Sequence, residues 1–140
     1  MNDIVHGLGS AAVFGALGVV LLLLGIGLID LLTPGKLGHQ IWVERNRNAA
    51  VLLSSALLGI GGIVFTSIWT TYDSFGKGLA STACFGVLGL VLMAVAFWAV
   101  DLLTPGRLGE ILVDPEPHPA VWVTAAVNLS VAAVVAASIS

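Results

Sequence analysis

Four apolar stretches, each about twenty residues long and almost free of charge, decide what this chain can become. They run roughly over 10–32, 49–69, 79–103 and 120–138. At about 1.5 Å of rise per residue, twenty helical residues cover the roughly 30 Å hydrocarbon core of a bilayer. Inside lipid no water satisfies a peptide group, so a spanning segment must close its own hydrogen bonds as a helix, and an open sheet is excluded. Composition agrees: 58% of residues are hydrophobic and only 9% charged, with a mean hydropathy of +1.06. The expected fold class is therefore all-α integral membrane, with four transmembrane helices. The first run is too long for a signal-peptide core, and the acidic MNDIVHG start is not a basic n-region, so it reads as a retained span.

An internal repeat organises the spans. The 29 residues from Ser10 (SAAVFGALGVVLLLLGIGLIDLLTPGKLG) align without a gap on those from Ser81 (STACFGVLGLVLMAVAFWAVDLLTPGRLG), with sixteen identities. At the same 71-residue offset Ser55, Gly59, Gly62 and Thr66 fall on Ala126, Ser130, Ala133 and Ala137. The reading is one helical hairpin duplicated, 1–75 and then 76–140. With two spans per unit, both copies enter the membrane in the same direction, as parallel repeats.

Charge sets the expected orientation. Lys36, Arg45, Arg47 and Arg107 lie on the side of the Thr-Pro-Gly turns, against Lys77 on the other, and basic short loops favour the cytoplasm. Both termini are expected outside. Trp42, Trp98 and Trp122 fall near the basic side, Trp69 and Tyr72 near the opposite one, where amphipathic rings sit at membrane interfaces.

The motif with most chemistry is Asp-Leu-Leu-Thr-Pro-Gly-Lys/Arg, present as Asp30, Thr33, Pro34, Gly35 and Lys36, and again as Asp101, Thr104, Pro105, Gly106 and Arg107. Proline ends each span, and the threonines are expected to N-cap short interfacial helices. In the first of these Leu37, Ile41 and Trp42 would lie on the bilayer; the second breaks at Asp114-Pro-Glu-Pro-His-Pro119. A carboxylate at a helix C-terminus meets the negative end of the helix dipole and needs a cation, a donor or a proton. Lys36, Arg45 and Arg47 are candidates for Asp30, and Arg107 for Asp101. Either the aspartates form a cation or proton site, or each locks its own turn.

Gly15, Gly18 and Gly25 share one helix face, repeated by Gly86, Gly89 and Ala96, while Gly59 and Gly62 belong to the small-residue stripe of the second span. Such faces let helices approach closely in lipid, where packing replaces the hydrophobic effect. Asn128, mid-span, is expected to hydrogen-bond across helices. Lone Cys84 excludes an intramolecular disulfide and reads as a packing residue; His6, His39 and His118 lack partners at metal-ligand spacing. No basic stripe suits nucleic acid, and no nucleophile–base pair or phosphate loop points to an enzyme or a cofactor.

Asp30-Leu-Leu-Thr-Pro34, its copy Asp101-Leu-Leu-Thr-Pro105, and Asn48-Ala-Ala50 at the start of the second span resemble a bacterial membrane family known as domain of unknown function 350, or uncharacterised protein family 0719. The resemblance covers nearly the whole chain. It implies an inner-membrane protein with a link to membrane stress, and no established activity. The second copy has Pro119 where the first has Asn48. Taken together, residues and resemblance lead to an oligomeric scaffold or accessory subunit, with membrane lipids, further copies of itself and a cytoplasmic protein as partners. The alternative is an ion or small-solute channel or transporter using Asp30 and Asp101.

Overall fold

The computed structural model describes residues 1–71 and 73–140, and these are entirely helical apart from turns. Six helices follow in order: α1 (Asn2–Leu32), α2 (Leu37–Trp42), α3 (Arg47–Thr70), α4 (Phe75–Leu103), α5 (Leu108–Val113) and α6 (Pro119–Ile139). The four long ones are apolar and long enough to cross a membrane. α1 begins eight residues earlier than the hydropathy of the sequence suggests, because the polar leader Asn2–Gly9 continues the same helix. Tyr72, expected at the boundary opposite the turns, lies outside the described residues.

α3 is the central helix. Its Ala49, Leu52, Ile60 and Ile63 are fully buried, and it packs most extensively on α6, then on α4, then on α1. α4 also packs on α6, whereas α1 leans on α3 and α4. Close approach is made by large side chains seated over glycines. A Cβ added to Gly59 would stand 2.6 Å from Met93 Cε and 2.9 Å from Ala132 Cβ; one on Gly86, 2.6 Å from Leu21 Cδ1; one on Gly89, 2.5 Å from Ile63 Cδ1. Gly25 receives Ile60 in the same way. In lipid such contacts are what dispersion has to work with. Gly18 meets Val64 at ordinary distance, while Gly15 and Gly62 face open space and pack against nothing in this chain. Cys84 is exposed rather than packed.

Large apolar side chains cover the outside: Leu23, Leu58, Phe65, Val134 and all four tryptophans are more than half exposed. That surface has only lipid or another membrane protein to meet.

Candidate functional site

The polar groups of the molecule gather at the end that carries the two Thr-Pro-Gly turns. Each turn is built alike. Thr33 and Thr104 are extended and end α1 and α4, and Gly35 and Gly106 then take left-handed φ values of +86° and +96°. The chain re-enters helix only after the glycine, so the N-caps of α2 and α5 are Lys36 and Arg107. This corrects the N-cap role expected of the threonines: the Pro-Gly step reverses the chain, and a helix cannot start inside it. A Cβ on Gly35 would also strike Gln40 Nε2 at 2.8 Å.

The reversal brings each short helix back over the aspartate. Asp30 Oδ1 accepts the Leu37 N–H at 2.7 Å, and Asp101 Oδ1 accepts the Leu108 N–H at 2.7 Å. One carboxylate thus sits at the negative end of a spanning helix and the positive end of a short one, and the second satisfies it through a free first-turn amide. None of the candidate cations forms a salt bridge with either aspartate: among the described residues the single contact of this kind is His39 Nδ1 with Glu44 Oε1 at 3.3 Å. Both short helices are six residues long, and Leu37, expected on the bilayer surface, is 1% exposed in the core, as is Leu108 at 0%.

The turns differ in their threonines. Thr104 Oγ1 donates back to Val100 O at 2.7 Å. Thr33 is 3% exposed and its Oγ1 has no partner. The two turns also touch each other, since a Cβ on Gly109 would meet Pro34 Cδ at 2.9 Å.

A cluster of buried amides ties the hairpins together here. Gln40 Nε2 donates to Pro34 O at 2.8 Å. Arg45, at φ +53°, lets the Asn46 N–H reach back to Gln40 O at 2.8 Å. Asn46 caps α3 by accepting the Ala49 N–H at 3.2 Å and donates through Nδ2 to Leu112 O at 3.2 Å. Asn48 Nδ2 is shared among Ile111 O, Asp114 O and Glu116 O at 3.4, 3.0 and 2.8 Å, while its Oδ1 accepts the His118 N–H at 3.3 Å. The proline-rich loop, poor in partners of its own, is held by this one side chain. Seventy-one residues after Asn48, Pro119 opens α6, with His118 Nδ1 capping it through the Ala120 N–H at 3.1 Å. Gln40 and Asn46 carry no motif in the sequence; the signal that could have found them is three amides flanking an apolar run at a membrane boundary.

Mid-bundle polar groups are used internally. Asn128 Nδ2 donates to Ser55 Oγ at 3.1 Å across α6 and α3, and Ser55 Oγ donates on to Leu52 O. Ser67 and Ser81 hydroxyls meet at 2.9 Å between α3 and α4. Asp114 Oδ1 accepts the Glu116 N–H at 2.9 Å, and no set of three His, Cys, Asp or Glu side chains among the described residues is arranged to hold a metal.

Over residues 3–139 the chain matches the family described as Domain of Unknown Function (DUF350). The chain belongs to that family. Among its relatives is a UPF0719 transmembrane protein of Mycolicibacterium paratuberculosis, 34% identical over all of this chain and 93% of the relative. UPF0719 transmembrane proteins of Mycobacterium bovis and Mycobacterium tuberculosis are each 31% identical over all of this chain and 92% of their own length. No solved structure matches. DUF350 membership accounts for a multi-pass transmembrane chain and assigns it no reaction.

Proposed function

We propose that this protein is an oligomeric membrane scaffold or accessory subunit of the bacterial inner membrane, built by duplication of one hairpin, with both Thr-Pro-Gly turns in the cytoplasm. One observation carries the choice over transport. Both aspartates are committed to backbone amides of their own turns, Leu37 and Leu108, which is the bonding of a structural lock. A conducting carboxylate would need to exchange partners along a path, yet deeper in the bundle Asn128 is bonded to Ser55 and Ser67 to Ser81.

Small outward residues support self-association. Ala126, Ser130, Ala133 and Ala137 form an exposed stripe on α6, and Gly15 and Gly62 are likewise unpacked within the chain. The same type of stripe on α3, through Ser55 and Gly59, is buried against α6. Equal bonding of the two turns supports the duplication. Lys36, Arg45, Arg47 and Arg107 are exposed at the turn end, where a soluble partner or anionic headgroups can reach them.

The test is reconstitution of the wild type and of Asp30→Asn and Asp101→Asn variants into proteoliposomes, with oligomer size read by crosslinking in native membranes. The scaffold reading expects an oligomer and no ion flux above protein-free vesicles. A pH-dependent flux lost in either variant with assembly intact would replace it with transport.

A further inference from the structure

The groove between α1 and α4 is apolar along its length and ends in charge. Its membrane part, about 640 Å³, is walled by Leu24, Gly27 and Leu28 on one side and Leu90, Val91 and Ala94 on the other. A second cavity of about 350 Å³ lies at the turn end and is lined by Thr33, Asp101, Arg107 and Glu110. The two share Leu31, Leu32 and Trp98, so they are one continuous surface feature that changes character at Trp98. From Val87, at the deep end, to Trp98 the helix rises about 16 Å, the depth of one leaflet's hydrocarbon.

We propose that this groove binds a phospholipid with an ammonium-bearing, zwitterionic headgroup, of the phosphatidylethanolamine class. An acyl chain lies against Gly27, where the missing side chain opens the groove, and Trp98 marks the hydrocarbon boundary. Arg107, which has no ion-pair partner among the described residues, takes the phosphate. Glu110 and the Asp101 oxygen not bonded to Leu108 take the ammonium, and the unpartnered Thr33 hydroxyl, 3% exposed, supplies a further hydrogen bond. Two carboxylates and one guanidinium match one ammonium and one phosphodiester, and they repel a headgroup with only negative charge. Acceptors of this kind also prefer a primary ammonium, with three N–H donors, to a quaternary one. At the 71-residue offset Trp98 and Glu110 correspond to Gly27 and His39, so the first turn lacks both the aromatic boundary and the second acid.

The experiment uses the full chain with Trp42, Trp69 and Trp122 changed to Phe, all three exposed, leaving Trp98 as the reporter. It is reconstituted in phosphatidylcholine vesicles containing chain-brominated phosphatidylethanolamine, phosphatidylcholine or phosphatidylglycerol at equal fraction, and quenching of Trp98 gives relative association. The ethanolamine lipid should associate about threefold or more above the other two. Glu110→Gln should remove that preference, and Arg107→Ala should weaken association of the ethanolamine lipid while Arg107→Lys retains it. Both side chains are exposed, so the bundle keeps its helical circular dichroism. Soluble glycerophosphoethanolamine should not compete, because it brings no acyl chain. Equal quenching by the three lipids, stronger quenching by phosphatidylglycerol, or a preference that survives Glu110→Gln would overturn the proposal.

Discussion

Removing the carboxylate oxygen and removing only its charge should have separable effects at the turns. Asp30→Ala deletes the acceptor of the Leu37 N–H; Asp30→Asn keeps an oxygen in place and loses the charge. A hydrogen bond to a charged group contributes about 1.5–3 kcal/mol, and solvent exposure of Asp30 puts this one at the low end, about 1.5 kcal/mol. A neutral amide acceptor retains about half of that. Alanine should therefore cost about 1.5 kcal/mol and asparagine about 0.7 kcal/mol, with the same ordering at Asp101. The turns have separate donors, so the Asp30→Asn, Asp101→Asn double variant should be additive within about 0.5 kcal/mol. Reversible unfolding in mixed bicelles measures the stabilities, and hydrogen exchange reads the lock directly. In Asp30→Ala the Leu37 amide should exchange about tenfold faster, with Leu108 unchanged. If asparagine costs as much as alanine, or Leu37 exchange does not respond, the lock is not what the aspartate provides.

Gly59→Ala should destabilise the bundle by about 1–3 kcal/mol, because the new methyl meets Met93 and Ala132. Gly62→Ala, pointing into open space, should change the stability of the single chain by less than about 1 kcal/mol in the same unfolding assay. Asn48→Ala should cost about 2–3 kcal/mol and expose the 114–118 loop to protease, since several loop backbone groups lose their partner together. For topology, single cysteines at Asn2 and His39 in a Cys84→Ala background should react oppositely with an impermeant thiol reagent on intact cells. Labelling of residue 39 with residue 2 spared would reverse the proposed orientation.

Architecture was legible because lipid leaves so few choices: an uncharged twenty-residue run must be helical, and Asn128 in such a run had to find a partner, which is Ser55. The aspartate turns were legible as a pair of alternatives, while the geometry of the turns depends on Gly35 and Gly106. Their positive φ swings Leu37 and Leu108 back over the carboxylates, a three-dimensional return that one-dimensional spacing does not display. Of the compensating groups open to the aspartates, a cation, a donor or a proton, each has a donor, the backbone amide of its own turn, and neither pairs with Lys36 or Arg107. The amide cluster at Gln40, Asn46 and Asn48 was hidden because its partners lie more than sixty residues away in the case of the asparagines, and are backbone carbonyls with no sequence identity. Gly59 and Gly62, one helical turn apart, are told apart by nothing in the sequence, yet Gly59 lies under Met93 and Ala132 while Gly62 is exposed at the edge of the packed face.

Asn48 also gives the chain a direction in time. The ribosome delivers α3 before residues 111–118 exist, so the first hairpin reaches the membrane with this amide still waiting for the carbonyls of Ile111, Asp114 and Glu116 and the N–H of His118. Until residues 111–118 are made, that end of α3 has a polar group whose bonds must be lent by water or headgroups. Satisfaction of Asn48 therefore waits on the second half of the chain, and a chain stopped after Val113, which keeps only the Ile111 carbonyl of these partners, should leave the asparagine and the turn end more open to hydrogen exchange than the full chain does.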